Sequence, residues 1–168
     1  MGKFPKILIA LLLCASLLCG CSLMPDMLPP IEVKAGDLTM TLPGYFENMV
    51  GDDMADQAGN FFLYQYSEIM ITGLRDDYSV FEEVPTLEEY AQGLITMSSG
   101  QISSQVEIID GMVTFTYRQL ENSESYTYIT AVFAGTEAFW MVTAGCKTVN
   151  FDLAKDKLVE IMKTAKVA

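Results

Sequence analysis

Apolar and polar residues alternate along several segments after residue 37, which is the pattern of β-strands with one buried face. Short turn signals separate these segments, at Ser67-Glu68, Asp110-Gly111 and Ala134-Gly135-Thr136. Tight turns join antiparallel neighbours, so the pattern predicts a largely antiparallel sheet. The predicted strands lie in DLTMTLPG, in FFLYQYSEIMITGLR (residues 61–66 and 69–75), in QVEIIDGMVTFTYRQ and in SYTYITAVFAGTEAFWMVTAGC.

Two segments change to helical spacing, with apolar residues three and four positions apart. The first follows Thr86, where Thr86 and Glu89 form the capping-box pattern of a helix N-terminus. The second is FDLAKDKLVEIMKTAK, for which Asn150 or Asp152 is the predicted N-cap. The predicted apolar stripe of this second helix consists of Ala154, Leu158, Ile161, Met162 and Ala165.

The order of these elements, β-β-β-α-β-β-β-β-α, predicts an α+β fold with a largely antiparallel sheet of about six to seven strands. The late strands are apolar on both faces, as the neighbours Tyr128 and Ile129 illustrate. A sheet that is buried on both faces needs a cover on both. We expect the two helices and the long loop at residues 44–60 to supply it, which gives an α/β/α sandwich.

The N-terminus carries the features of a secretory signal peptide. Lys3 and Lys6 precede the apolar run at residues 7–18, and small residues follow it. The run is shorter than the roughly 18 to 20 residues that a membrane-spanning helix needs. An uncleaved anchor is the alternative, although no stop-transfer pattern follows the run.

The end of this leader, Leu18-Cys19-Gly20-Cys21, resembles the lipobox of bacterial lipoproteins. The resemblance implies cleavage after Gly20 and a diacylglycerol group on Cys21. Cys19 does not fit the pattern, because Leu18 would then occupy the place of a small residue. Two or three acyl chains hold a protein stably on a bilayer. We therefore expect a protein that is attached to the cell membrane through Cys21 and faces outside the cytoplasm.

Three regions follow from this assignment. Residues 1–20 are the predicted signal peptide, residues 21–36 the lipidated cysteine with a tether, and residues 37–168 a single globular domain. The tether segment SLMPDMLPPIEVK contains three prolines and no regular pattern, which is typical of a semi-stiff linker.

The charge and the cysteines restrict the partners and the chemistry. Removal of Lys3 and Lys6 with the leader takes the net charge from −12 to −14, which excludes nucleic acid as a partner and disfavours adhesion to anionic lipids. Cys14 and Cys19 leave with the leader and the lipid caps Cys21, so Cys146 is the one remaining thiol and no internal disulfide can form. We expect Cys146 to be a small buried apolar residue. The alternative is a reactive thiol whose pKa Lys147 lowers.

The chain has no histidine, which removes the commonest general base and the commonest metal ligand. Phosphate-binding glycine loops are also absent, and no cofactor is predicted. A weak calcium candidate is Asp52, Asp53 and Asp56, but Met54 breaks the EF-hand pattern. A carboxylate-based hydrolase would have to use the doublets Asp76-Asp77, Glu82-Glu83 or Glu88-Glu89. We expect a protein that is not an enzyme.

Tyrosines offer the main candidate ligand surface. Their rings can stack on sugars or ligands, although alternate spacing equally suits packing in a half-buried sheet. The candidates are Tyr64, Tyr66, Tyr117, Tyr126 and Tyr128.

The succession LTMTLPGYF, YQYSEIMI, TLEEYAQGL, IIDGMVTFTY and FWMVTAGC, followed by an amphipathic helix, resembles the PsbP-like family. That family includes the extrinsic protein of photosystem II, a Ran-binding nuclear import factor and small bacterial lipoproteins. The resemblance implies an α/β/α sandwich and a role in binding or assisting other proteins; it assigns no binding residue. We therefore expect a lipid-anchored interaction module for a protein or envelope component. A small-ligand or glycan-binding lipoprotein is the alternative.

Overall fold

A computed structural model describes residues 28–51, 59–97 and 102–168. Gly20, Cys21 and the aspartates at 52, 53 and 56 lie outside these ranges. The strands are β1 Ile31–Ala35, β2 Leu38–Leu42, β3 Glu47–Asn48, β4 Phe61–Tyr66, β5 Ile69–Asp77, β6 Ile102–Ser103, β7 Glu107–Ile109, β8 Met112–Glu121, β9 Glu124–Ala134, β10 Ala138–Lys147 and β11 Lys166–Val167. The helices are α1 Leu87–Met97 and α2 Thr148–Met162, and Tyr78–Val80 form a 3₁₀ turn.

Antiparallel hairpins build the main sheet, whose strand order is β3-β4-β5-β10-β9-β8-β6, with β7 also paired to β8. The predicted turn at Asp110-Gly111 is confirmed, because both residues have positive φ, 50° and 83°. Asn122 and Ser123 make a second turn of this kind, with φ of 48° and 69°. Positive φ at both central residues matches the twist of a two-residue hairpin.

A second, three-stranded sheet has the order β1-β2-β11. The sequence indicated only β2 of these strands. β1 lies within the segment predicted to be a tether, and it belongs to the fold because Val33 and Ala35 are buried. β11 pairs with β2 at Lys166 and Val167, so the end of the chain closes this sheet.

The small sheet and α2 together cover one face of the main sheet. The buried side chains of α2 are Phe151, Leu158, Val159, Ile161 and Met162. The helix begins at Thr148, so the predicted N-cap at Asn150 or Asp152 is wrong. The reason is that β10 runs directly into the helix: the Thr148 hydroxyl shares hydrogen bonds of 2.9 Å with Ser125 and Thr127 at the start of β9.

The other face of the main sheet is partly covered by α1. Tyr90 and Ala91 of this helix are buried, and the Tyr90 ring stacks on Phe139 with centroids 4.3 Å apart. The predicted capping box is confirmed: Thr86 N donates to Glu89 Oε2 at 2.9 Å, and Glu89 N donates to Thr86 Oγ1 at 3.3 Å. Helices thus lie on both faces of an antiparallel sheet, and the predicted α+β sandwich is confirmed.

Candidate ligand surface

The strand register arranges the side chains of the α1 side in parallel rows across the sheet. One row runs Leu63, Thr72, Thr143, Thr130 and Phe115, from β4 through β5, β10 and β9 to β8. The next row, two residues further along each strand, runs Gln65, Met70, Gly145, Tyr128 and Tyr117. The α1 helix packs beside the first row, and Tyr117 of the second row also packs against the hydrophobic cluster that this helix forms with the sheet.

A largely apolar groove of about 290 Å³ lies beside α1, and we call it the helix-side groove. Its threonine hydroxyls are already bonded within the sheet, Thr130 to Thr143 at 2.8 Å and Thr72 to the Phe62 carbonyl at 2.9 Å. The groove therefore offers mainly apolar contact. It is lined by Phe61, Thr72, Leu74, Leu94, Phe115, Tyr117, Thr130, Met141 and Thr143.

A second depression, of about 360 Å³, lies towards the other end of the strands, and we call it the tyrosine cleft. The Tyr128 ring lies against Gly145, where a Cβ atom would be 2.3 Å from the ring atom Cδ1. Tyr128 stacks on Tyr117 at 5.0 Å and on Tyr126 at 6.3 Å. The lining is Gln65, Ser67, Glu68, Met70, Glu121, Glu124, Tyr126, Tyr128, Gly145 and Lys147. The groove and the cleft together form what we call the open face.

The polar groups of the tyrosine cleft form two bonded sets, one around Lys147 and one between Tyr128 and Glu121. The Nζ atom of Lys147 lies 3.0 Å from Glu68 Oε1 and 2.9 Å from Glu124 Oε1. These hydrogen bonds raise the pKa of Lys147, and the bond from Lys147 lowers the pKa of Glu124. Tyr128 donates to Glu121 at 3.0 Å, and its pKa is raised first by burial and then by this bond. Two carboxylates, those of Glu68 and Glu124, therefore pair with the ammonium group of Lys147, while that of Glu121 bonds to Tyr128.

The structure brings together three of the five candidate tyrosines, Tyr117, Tyr126 and Tyr128. Tyr64 and Tyr66 point to the opposite face, because they alternate with Gln65. Tyr64 packs against the main core there. Tyr66 lies against Tyr45, with ring centroids 4.3 Å apart.

Sequence reasoning missed the residues that shape the cleft, which are Glu68, Glu121, Gly145 and Lys147. Gly145 carried a usable signal, because a glycine inside an otherwise apolar strand often marks the close approach of another group. Glu68 and Glu121 carried no such signal in the sequence, because one lies in a turn and the other at the end of a strand, where exposed acidic residues are common.

Three carboxylates of the acidic doublets, those of Asp76, Asp77 and Glu89, are already bonded within the fold. Asp76 accepts a hydrogen bond from the Tyr90 hydroxyl at 2.6 Å, and Asp77 pairs with Arg75. Glu89 caps α1. Among the residues that the structure describes, no group of three or more potential ligands is placed to hold a metal ion.

Cys146 is buried, as predicted, with 2% of its surface exposed. Burial raises the pKa of its thiol, and the nearby Glu68 raises it further. A raised pKa leaves less reactive thiolate at neutral pH, which opposes the reactive-thiol alternative.

Within the described ranges, no helix has the length and apolar character needed to cross a bilayer.

No protein-family model and no curated protein matches the sequence. Solved structures do match. The solution structure of cyanobacterial PsbP (CyanoP) from Synechocystis sp. PCC 6803 has a TM-score of 0.56 at 12% identity, covering 89% of this chain and 97% of that one. The Ran-binding protein Mog1p of Saccharomyces cerevisiae has a TM-score of 0.53 at 10% identity, covering 83% and 96%. At such low identity the likeness concerns the fold alone, and this chain has the Mog1/PsbP-like fold.

Proposed function

We propose that this protein is a lipid-anchored, non-enzymatic interaction module that binds a partner protein outside the cytoplasm through its open face. The observation that carries the proposal is the open face itself. Apolar and aromatic side chains of five neighbouring strands line it, and within the described ranges α1 covers only one end. Leu74 in the groove is 43% exposed, although it lies on a strand next to the centre of the sheet.

The shape of this surface favours a protein over a small molecule. Small-molecule sites are usually enclosed and have a few polar groups that converge on the ligand. Here the groove and the cleft are both open to solvent, and they adjoin along the strands. The polar groups of the cleft are bonded to one another, as in the pairs Lys147–Glu124 and Tyr128–Glu121.

The position of Leu28, the residue at which the described part of the chain begins, supports this assignment. Leu28 lines a cavity together with Lys157 and Ile161 of α2, so the chain enters the fold on the α2 side. Seven residue steps separate Cys21 from Leu28, which gives a reach of at most about 25 Å. A lipid on Cys21 would keep the α2 side towards the membrane. The open face, on the opposite side of the main sheet, would be accessible to a partner.

A second candidate function is the binding of a glycan or another small ligand in the tyrosine cleft. The stacked rings of Tyr117, Tyr126 and Tyr128 favour it, together with a volume of about 360 Å³. That volume falls within the range of about 300 to 1,000 Å³ found for ligand pockets.

The test is co-purification from detergent-solubilised envelopes of the source organism, using the full lipidated chain. Leu74→Glu places a charge in the groove, and Leu153→Glu is its matched control, because Leu153 is an exposed leucine of α2 on the other side. We expect one protein to co-purify with the wild type and with Leu153→Glu, and to be lost with Leu74→Glu. Retention by Leu74→Glu would contradict the proposal. Recovery of no protein, with a melting temperature that rises on addition of glycans, would favour the second candidate.

The anchor is tested separately. Cys21→Ser should move the protein from the membrane fraction to the soluble fraction, while the wild type stays with the membrane. If the Cys21→Ser form still sediments with membranes, the lipid assignment is wrong.

A further inference from the structure

The open face combines an apolar part with an acidic, aromatic part, and this combination specifies a partner. We propose that the open face binds an extended segment of the partner with the pattern apolar-x-arginine, in which the guanidinium group enters the tyrosine cleft beside Glu121. This inference rests on the proposed function and adds the chemistry of the partner.

Glu121 is the group that we expect to receive the cation. Its carboxylate accepts the Tyr128 hydroxyl at 3.0 Å, and it makes no ion pair within the part of the chain that the structure describes. Glu68 and Glu124, in contrast, already share Lys147. One carboxylate of the cleft is therefore available for a cation from outside.

The tyrosine rings next to Glu121 favour arginine among the cations. Tyr126 and Tyr128 both line the cleft and stack at 6.3 Å, and because Tyr128 is only 4% exposed, the half-buried Tyr126 offers the aromatic surface that an arriving group can contact. A guanidinium group is planar and weakly hydrated; it stacks on aromatic rings and can donate two parallel hydrogen bonds to a carboxylate. Lysine can supply the charge but not the planar stacking.

The spacing of the rows sets the pattern of the partner segment. Thr143 and most of its row line the groove, whereas Gly145, Met70 and Tyr128 of the next row line the cleft; Tyr117 of that second row lines the groove. Rows two residues apart on a strand are separated by about 7 Å. Side chains at positions i and i+2 of an extended segment have the same separation, so an apolar residue can lie in the groove while the arginine lies in the cleft.

The charge of the whole chain acts in the same direction. The net charge is −12, and acidic residues border the cleft on the turn before β5 and at the ends of β8 and β9. A field of this sign attracts a basic segment and repels an acidic one, and salt weakens the attraction.

The experiment uses two capped tripeptides and the full chain, labelled with ¹⁵N in mild detergent. The probe is acetyl-Leu-Ser-Arg-amide, and the control is acetyl-Leu-Ser-citrulline-amide, which keeps the shape of the side chain and removes its charge. We expect saturable shifts of the amide signals of Tyr128, Gly145 and Lys147 with the arginine peptide, and at least tenfold weaker binding of the citrulline peptide. Equal binding of the two peptides, or shifts confined to other parts of the protein, would overturn the inference.

Two variants locate the effect. Glu121→Gln should weaken the arginine peptide about tenfold and leave the citrulline peptide unchanged. Glu83→Gln, an exposed glutamate that lines neither the groove nor the cleft, is the matched control and should change nothing. Unchanged affinity in Glu121→Gln would refute the role of this carboxylate.

The co-purification experiment separates this inference from the proposed function. If Leu74→Glu loses the partner and Glu121→Gln retains it at wild-type affinity, the open face binds a protein but the arginine assignment is wrong. If Leu74→Glu retains the partner, the proposed function itself is wrong.

Discussion

Trp140 donates its indole N–H to the carboxylate of Asp37 at 2.7 Å, although 103 positions separate the two residues in the sequence. Trp140 lies in β10 at the centre of the main sheet and is fully buried, whereas Asp37 lies in the turn between β1 and β2 of the small sheet. The backbone carbonyl of Asp37 also accepts the N–H of Ala168 at 3.1 Å. Asp37 thus joins the two sheets and the C-terminal strand.

We predict that Asp37→Ala lowers the free energy of unfolding by about 1–3 kcal/mol, because a buried donor that loses its acceptor bears the cost of desolvation. Asp37→Asn keeps an acceptor oxygen and should lose less. Urea unfolding of the full chain, followed by the fluorescence of its single tryptophan, measures both changes. Equal stability of the alanine variant and the wild type would show that this bond does not hold the sheets together.

Gly145→Ala should reduce stability because its new Cβ atom would lie 2.3 Å from Tyr128 and 2.7 Å from the Thr127 carbonyl oxygen. We expect a loss of about 1–3 kcal/mol, typical of overpacking in a sheet interior. Gly93→Ala is the matched control. Gly93 lies inside α1 with no atom within 4 Å of an added Cβ, so its replacement should stabilise the protein by about 0.5–1 kcal/mol. Urea unfolding should show a lower free energy of unfolding for Gly145→Ala and a higher one for Gly93→Ala than for the wild type. A Gly145→Ala variant as stable as the wild type would mean that the Tyr128 ring can move away from the added methyl group.

Local signals in the sequence were sufficient for much of the fold. The capping box at Thr86 and Glu89 and the turn at Asp110-Gly111 each involve residues close together in the chain, so their geometry follows from the residue types. β1 and β11 could not be predicted in this way. β11 has only two residues, and its strand character depends on pairing with β2 at the other end of the chain.

The candidate surface shows the same division between local and distant determinants. Alternation within a strand predicts that Tyr126 and Tyr128 share a face, but not which face receives a helix. That depends on the register between β4, β5, β10, β9 and β8. For this reason the sequence grouped Tyr64 and Tyr66 with the other tyrosines, whereas the structure places them on the α2 side.

The capping box of α1 should make the protein sensitive to acid. Hydrogen bonds from Thr86 lower the pKa of Glu89 below its ordinary value of 4.5. A lowered folded pKa contributes stability that is present above the ordinary value and is lost as the pH falls through the folded value. Glu89→Gln keeps a capping oxygen without a charge, so it should flatten the decline of stability below pH 4.5, measured by urea unfolding at a series of pH values. Glu88→Gln is the control, because Glu88 is exposed and lies next to Glu89, and it should leave the decline of stability with falling pH unchanged. If Glu89→Gln also left this decline unchanged, the capping box would not be the source of the acid sensitivity.

Tyr128→Phe should change the stability of the protein at alkaline pH. Burial and the bond to Glu121 raise the pKa of Tyr128 above its ordinary value of 10.0. The folded state therefore holds this proton more tightly than the unfolded state, so the stabilisation is complete below pH 10 and declines as the pH rises above it.

At pH 8 the loss of the hydrogen bond should make Tyr128→Phe less stable than the wild type by about 0.5–1.5 kcal/mol. Above pH 10 the wild type alone loses the contribution of Tyr128, so the difference should shrink by up to about 1.4 kcal/mol per pH unit. Urea unfolding between pH 8 and pH 11 measures the difference. Tyr66→Phe is the control, since the Tyr66 hydroxyl makes no hydrogen bond within the described ranges, and its difference from the wild type should be small at pH 8. A constant difference for Tyr128→Phe across this range would show that Tyr128 ionises alike in the folded and unfolded states, and that its bond to Glu121 does not protect the proton.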